Sequence, residues 1–98
     1  MEQETLPKPV LEQLVQLLRD TGSAHHHAFA STNGDDPEWP LWYAEYMYER
    51  LGPDMKSRLT KSELVHLLLL AEKERQAQAP NSYWPAFYAD LLASHLGL

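Results

Sequence analysis

Apolar residues recur at every third or fourth position along most of the chain, the spacing of an amphipathic helix rather than a strand. In the first such stretch Leu11, Leu14, Leu18, His25 and Phe29 share one face of a helical wheel, with Val15 and His26 at its edge and His27 opposite. A second stretch, from about residue 37 to 51, and a last one, from about 82 to 96, are apolar nearly all round. Their polar strips are Glu45/Glu49 and Asp90/Ser94. Between them Leu64, Leu67, Leu68 and Leu70 mark a third apolar run. The pattern predicts four helices and an all-α fold.

Punctuation sets the ends. Thr60-Lys61-Ser62-Glu63 has the form of a capping box, and Leu59 with Leu64 supplies the hydrophobic staple around it. The helix that starts there is expected to reach about Gln78, where Pro80 stops it. Asp36 is placed to cap helix 2 with Pro37 in its first turn, and Asn81 or Ser82 to cap helix 4. Gly52 and Gly97 sit where left-handed C-terminal glycines belong. Helix 1 is expected to begin near Pro9, and Gly22 taken alone would end it.

An internal repeat changes that last expectation. Trp39-Pro40-Leu41-Trp42-Tyr43-Ala44-Glu45, ending at Leu51-Gly52, recurs as Trp84-Pro85-Ala86-Phe87-Tyr88-Ala89-Asp90, ending at Leu96-Gly97, at an offset of 45 throughout. Upstream the match resumes at an offset of 53, where Leu6, Lys8, Leu11, Leu14, Val15 and Leu17 fall on Leu59, Lys61, Leu64, Leu67, Leu68 and Leu70. The repeat spans 6–52 and 59–97 within one 98-residue domain, and the first copy carries about eight extra residues near 27–34. Because the third helix continues well past the position equivalent to Arg19, helix 1 is expected to run on, kinked at Gly22, through the histidines to about Ser31. Asn33-Gly34 would then turn it off. The predicted architecture is two tandem helical hairpins about a pseudo-twofold axis.

Composition narrows the function classes. There is no cysteine, so disulfides, thiolate metal sites and a cysteine nucleophile are excluded, and the composition suits the cytoplasm. Met1 to Pro9 has no basic segment followed by an apolar one, so no secretory signal is expected. The longest continuous apolar run is Leu67–Ala71, against roughly 18 residues for a membrane span. The net charge of −6 lies entirely in residues 1–52, where nine acids face Lys8, Arg19 and Arg50. Nucleic acid needs a basic footprint, so it is not an expected partner; a cation or a basic partner suits the first half better.

The two Trp-Pro runs are the most conspicuous candidates. Trp39, Trp42, Tyr43, Trp84, Phe87 and Tyr88 would serve either as recognition anchors or as core with their polar tips satisfied at its edge. Their presence in both copies favours core, since a fold needs the same part twice and a single site does not. Glu45 and Asp90 are equivalent and in principle form a carboxylate pair, though the wheel puts them on a solvated strip. Arg50 and His95 complement the last turns of their helices, and His66 reads as a core-edge residue.

What the copies do not share is His25-His26-His27 and Asp35-Asp36-Pro37-Glu38. Imidazoles beside carboxylates suit a divalent metal, so His25, His26, Asp35, Asp36 and Glu38, with Glu45, are the candidate metal or small-ligand site. Adjacent helical histidines diverge by about 100°, however, and the spacing matches no paired-ligand motif. The simpler alternative packs His25 and His26 against Phe29 and makes Asp36 a helix cap. No phosphate-binding glycine loop and no serine nucleophile with a base is visible, and nothing asks for an enzyme.

His25-His26-x-Ala28-Phe29 followed by Asp36-Pro37-x-Trp39-Pro40-x-Trp42-Tyr43-Ala44 resembles a motif of short, uncharacterised bacterial proteins. The resemblance covers the first hairpin. It implies that the histidine segment and helix 2 form one unit, and it brings no activity with it. The sequence therefore points to a small helical interaction module, self-associating or bound to a protein partner, with metal or small-ligand binding at residues 25–38 as the alternative.

Overall fold

The computed structural model describes residues 10–97. Those residues form five helices and no strand: α1 (Val10–Ala28), α2 (Trp39–Arg50), α3 (Pro53–Lys56), α4 (Lys61–Gln78) and α5 (Trp84–Leu96), with a short 3-10 turn at Ala30–Thr32. The predicted start of helix 1 at Pro9, and Leu6 and Lys8 of the repeat, lie outside the described residues. The count is five rather than four because Pro53-Asp54-Met55-Lys56 coils once between α2 and α4. One turn is too short to leave a periodic signal.

The four long helices close a ring in which α1 packs on α2 and α5, and α4 packs on the same two. Inside it lie Leu14 and Leu18 of α1, Ala44 and Met47 of α2, Leu64, Leu67, Leu68 and Ala71 of α4, and Tyr88, Ala89 and Leu92 of α5, all buried together with Leu59. Interiors are close-packed, so the small residues Ala44, Ala71 and Ala89, each fully buried, let neighbouring helices approach. Thr21 is also fully buried, and its hydroxyl is satisfied by donating to the Leu17 carbonyl at 2.7 Å. Leu11, expected on the buried face, is 41% exposed.

α1 runs unbroken through Gly22 and the histidines but ends at Ala28, three residues short of expectation. The 3-10 turn follows, and Asn33 (φ 60°) and Gly34 (φ 84°) supply the left-handed stop. The capping box at α4 is complete: Glu63 N–H donates to Thr60 Oγ1 at 3.0 Å, and Thr60 N–H donates to Glu63 Oε1 at 2.7 Å. Gly97 is left-handed at φ 74°, as predicted.

Three predicted ends differ, each for a local reason. Gly52 is extended (φ −71°, ψ 167°) and opens α3, because a residue before proline is pushed out of helical space. α2 begins at Trp39, not at Pro37: Asp36 accepts the Glu38 and Trp39 N–H groups in a turn just before the helix, and the residue at the N-cap position is Glu38. Ser82 turns back to donate to the Ala79 carbonyl at 2.7 Å, so Tyr83 takes the N-cap position of α5 with no side-chain bond.

Candidate functional site

His25 sits in the last turn of α1, 6% exposed. Its Nε2 lies 3.0 Å from Asp36 Oδ2. The imidazole stacks on Phe29, with centroids 4.6 Å apart, and meets Trp42 and Tyr43 of α2 at 5.2 and 5.3 Å. Asp36 Oδ1 accepts the Glu38 N–H at 3.1 Å, and the Asp36 carbonyl accepts the Trp39 N–H. One carboxylate therefore ties the end of α1 to the start of α2. The side chains of this pair are only 7% and 11% exposed, so the histidine is held within aromatic walls rather than presented to a ligand.

The other residues singled out from sequence are dispersed. His26 is exposed and rests against Gly34, where a Cβ would stand 2.8 Å from its Nδ1. Asp35 and Glu38 are exposed. Glu45 is exposed and pairs with Lys61 of α4 at 2.9 Å. Asp90, its equivalent, borders a groove with Val10 and Leu11 of α1, so the two carboxylates stand on different seams of the ring. Among the described residues no group of three or more His, Asp or Glu side chains is placed to hold a metal ion. His66 is exposed and lines a cavity of about 240 Å³ with Glu63, Arg58 and His95.

The aromatic runs meet between α2 and α5, packed against the core, with Tyr88 buried and Trp39, Tyr43 and Trp84 half-buried. Trp39 packs edge-on to Tyr43, and Trp84 edge-on to Tyr88, each pair with centroids 5.0 Å apart. Across the hairpins Trp39 lies 6.4 Å from Tyr88, and Trp84 lies 6.1 Å from Tyr43. Four rings thus close a cycle. Along α2, Trp42 stacks on Tyr46 at 5.5 Å, and Arg50 lies 3.6 Å from the Tyr46 ring centre.

Glu72 was not among the residues the sequence singled out. Glu72-Lys73-Glu74-Arg75 reads as a solvated charged turn, and the one available signal was the Glu72/Arg75 spacing of three. In the structure Glu72 Oε1 accepts the Tyr88 hydroxyl at 2.6 Å and Arg75 Nε at 3.1 Å. Its Oε2 accepts Arg75 Nη2 at 3.1 Å and Gln76 Nε2 at 2.6 Å. Burial works against the Glu72 charge, but the bonds from Arg75, Tyr88 and Gln76 outweigh it and hold the carboxyl below its ordinary pKa. Tyr88 is pushed far up, first by burial and then by its bond to Glu72. Tyr43 is raised mainly by burial and secondarily by the charge of Glu72.

Tyr43 faces a cavity of about 390 Å³ between α1 and the start of α5, lined by Arg19, Gly22, Ser23, Tyr83, Trp84 and Pro85 besides itself. No helix among the described residues is long and apolar enough to cross a membrane. Comparison of the chain with protein-family models, with curated proteins and with solved structures gave no match.

Proposed function

We propose that the protein is a duplicated helical hairpin that works as a self-associating module, pairing with a second copy through the seam between α2 and α4. The duplication is supported by the two sequence offsets and by the ring of helices, which maps onto itself when α1 exchanges with α4 and α2 with α5. The matching Trp–Tyr separations within and across the hairpins support it further.

The observation that carries the association is the exposure of two large apolar side chains on one seam: Leu41 on α2 is 56% exposed and Leu69 on α4 is 51%. α2 and α4 run antiparallel, since Glu45 pairs with Lys61 at the start of α4 while Trp39, at the start of α2, packs on Tyr88, whose hydroxyl donates to Glu72 nearer the end of α4. Side chains four apart share a helix face. Extending the register of the Glu45–Lys61 bond by one helical turn sets Leu41 level with Val65, with Leu69 a turn further along the same face of α4. The equivalent positions on the α1/α5 seam are Ala86, Glu12 and Gln16. The α1/α5 seam has no apolar row at these positions; its exposed apolar residues, Val10 and Leu11, lie beside Asp90 instead.

A second copy suits this face better than a charged partner. A twofold-related contact sets Leu41 of one copy against Leu69 of the other, and the charges bordering the row, Glu45 and Lys61, already neutralise one another. So short a row gives a small interface and a weak dimer, with a Kd of about micromolar or higher. Sedimentation equilibrium tests this. The mass is expected to rise with concentration from 11.3 kDa toward twice that value, and Leu69→Lys to hold the chain as a monomer. A wild-type chain that stays monomeric at high concentration overturns the proposal.

A further inference from the structure

The open cavity of about 390 Å³ beside Tyr43 has the volume of a small-molecule site, and the second hairpin indicates what it takes. By the two offsets, Tyr43 corresponds to Tyr88, Arg19 to Glu72, Gly22 to Arg75 and Ser23 to Gln76. In the second hairpin the tyrosine hydroxyl donates to a carboxylate, and that carboxylate also receives a guanidinium. In the first hairpin a tyrosine hydroxyl and a guanidinium are again present, but the carboxylate between them is missing. Neither Arg19 nor the Tyr43 hydroxyl has an ion pair or hydrogen bond among the described residues.

Gly22 shapes the cavity. Trp84 approaches so closely that a Cβ on Gly22 would stand 2.7 Å from Cζ2 of the indole and 3.3 Å from the Tyr43 hydroxyl oxygen. The Trp84 indole, Tyr83 and Pro85 line the cavity beside Gly22, with Arg19, Ser23 and the Tyr43 hydroxyl supplying polar atoms. The one negative charge felt by Tyr43, that of Glu72, is already met by two bonds from Arg75.

We infer that this cavity binds a small planar organic carboxylate, its carboxylate oxygens accepting from Arg19 and the Tyr43 hydroxyl and its apolar body lying against Trp84. The choice of carboxylate rests on the duplication proposed above; the cavity itself is independent of the α2/α4 seam. Guanidinium–carboxylate bonds are charge-assisted and directional, so this pairing selects an acid over a neutral molecule of the same shape.

The test is a titration of the full chain with sodium benzoate, followed by amide and indole NMR shifts, with benzamide and sodium acetate as parallel probes. Benzoate is expected to saturate in the millimolar range with the largest shifts at Gly22, Ser23 and the Trp84 indole N–H. Benzamide and acetate should bind at least about tenfold more weakly, the former for want of charge and the latter for want of a ring. Arg19→Gln and Tyr43→Phe should each weaken benzoate by about tenfold or more. Leu69→Lys should leave it unchanged, which separates this site from the seam. Benzamide binding as well as benzoate, wild-type affinity in both site variants, or shifts scattered away from α1 and the start of α5 would each overturn the inference.

Discussion

The indole of Trp84 lies directly on the backbone of Gly22, with no room for a single added carbon: a Cβ there would be 2.7 Å from Cζ2 and 3.2 Å from Cη2 of the ring. A glycine in mid-helix ordinarily costs about 1 kcal/mol relative to alanine. Here it allows α5 to seat its first turn against α1 and closes the four-ring aromatic cycle.

Gly22→Ala should therefore destabilise the protein although it improves helix propensity. The indole edge is rigid, so the clash must be relieved by moving Trp84, an overpacking cost of about 1–3 kcal/mol that exceeds the propensity gain. Gly52→Ala is the control, because nothing lies within 4 Å of a Cβ there and its φ is ordinary. Urea midpoints of the two variants should fall clearly below wild type for Gly22→Ala and stay close to it for Gly52→Ala.

Asp36 holds both the buried His25 and the Glu38 N–H. Asp36→Ala leaves an imidazole nitrogen buried without a partner and opens the turn before α2, at a cost of about 2 kcal/mol. Asp36→Asn keeps an acceptor for Glu38 and a side-chain amide for the ring, and should lose less than half as much. If Asp36→Ala unfolds at the wild-type urea concentration, the pair does not tie α1 to α2.

The Glu72 cluster sets the acid limb of stability. A carboxyl held below its ordinary value of 4.5 contributes stability that is complete above that pH and is lost as pH falls through the lowered value. Glu72→Gln should therefore be less stable than wild type at neutral pH, by about 1 kcal/mol. The gap should narrow steadily below pH 4.5. Urea unfolding from neutral pH down to pH 3 reads it directly, and a gap independent of pH would contradict it.

Tyr88 and Tyr43 act on the alkaline side. Both are raised above 10.0, so their contribution is whole below that pH and is lost as pH rises beyond it, when the unfolded chain ionises first. Absorbance of tyrosinate near 295 nm should show a late component, tied to unfolding, that shrinks in Tyr88→Phe and in Tyr43→Phe. Complete ionisation of the folded protein near pH 10 would show these hydroxyls to be less protected than their surroundings require.

Much of the helical layout was legible in sequence, for physical reasons that differ by element. α4 declared both ends, since a capping box and Pro80 act on the chain locally. Gly97 and Asn33-Gly34 declared their stops in the same way. The continuation of α1 past Gly22 was legible only through the repeat, and the helix does run on to Ala28. Gly52 misled because Pro53 after it dictates extended backbone, a signal that was present and outweighs the glycine.

The site was less legible. His25 and Asp36 were named as neighbours of a possible metal, yet their bond to each other depends on how the 29–35 turn folds back, which no local pattern fixes. Glu72 was invisible because its partner Tyr88 is 16 residues away on another helix. The cavity at Arg19 depends on how the Trp84 indole of another helix meets Gly22, and no local pattern reports that approach.

Exchanging one seam for the other tests directly whether copies pair through α2 and α4. The triple variant L41A/V65E/L69Q gives the α2/α4 seam the residues that the α1/α5 seam carries at Ala86, Glu12 and Gln16. Run beside wild type in sedimentation equilibrium, with circular dichroism to show that both are folded, the variant should stay at 11.3 kDa over concentrations where wild type grows heavier. Equal association by the folded variant and wild type would contradict the assignment of that seam as the contact between copies.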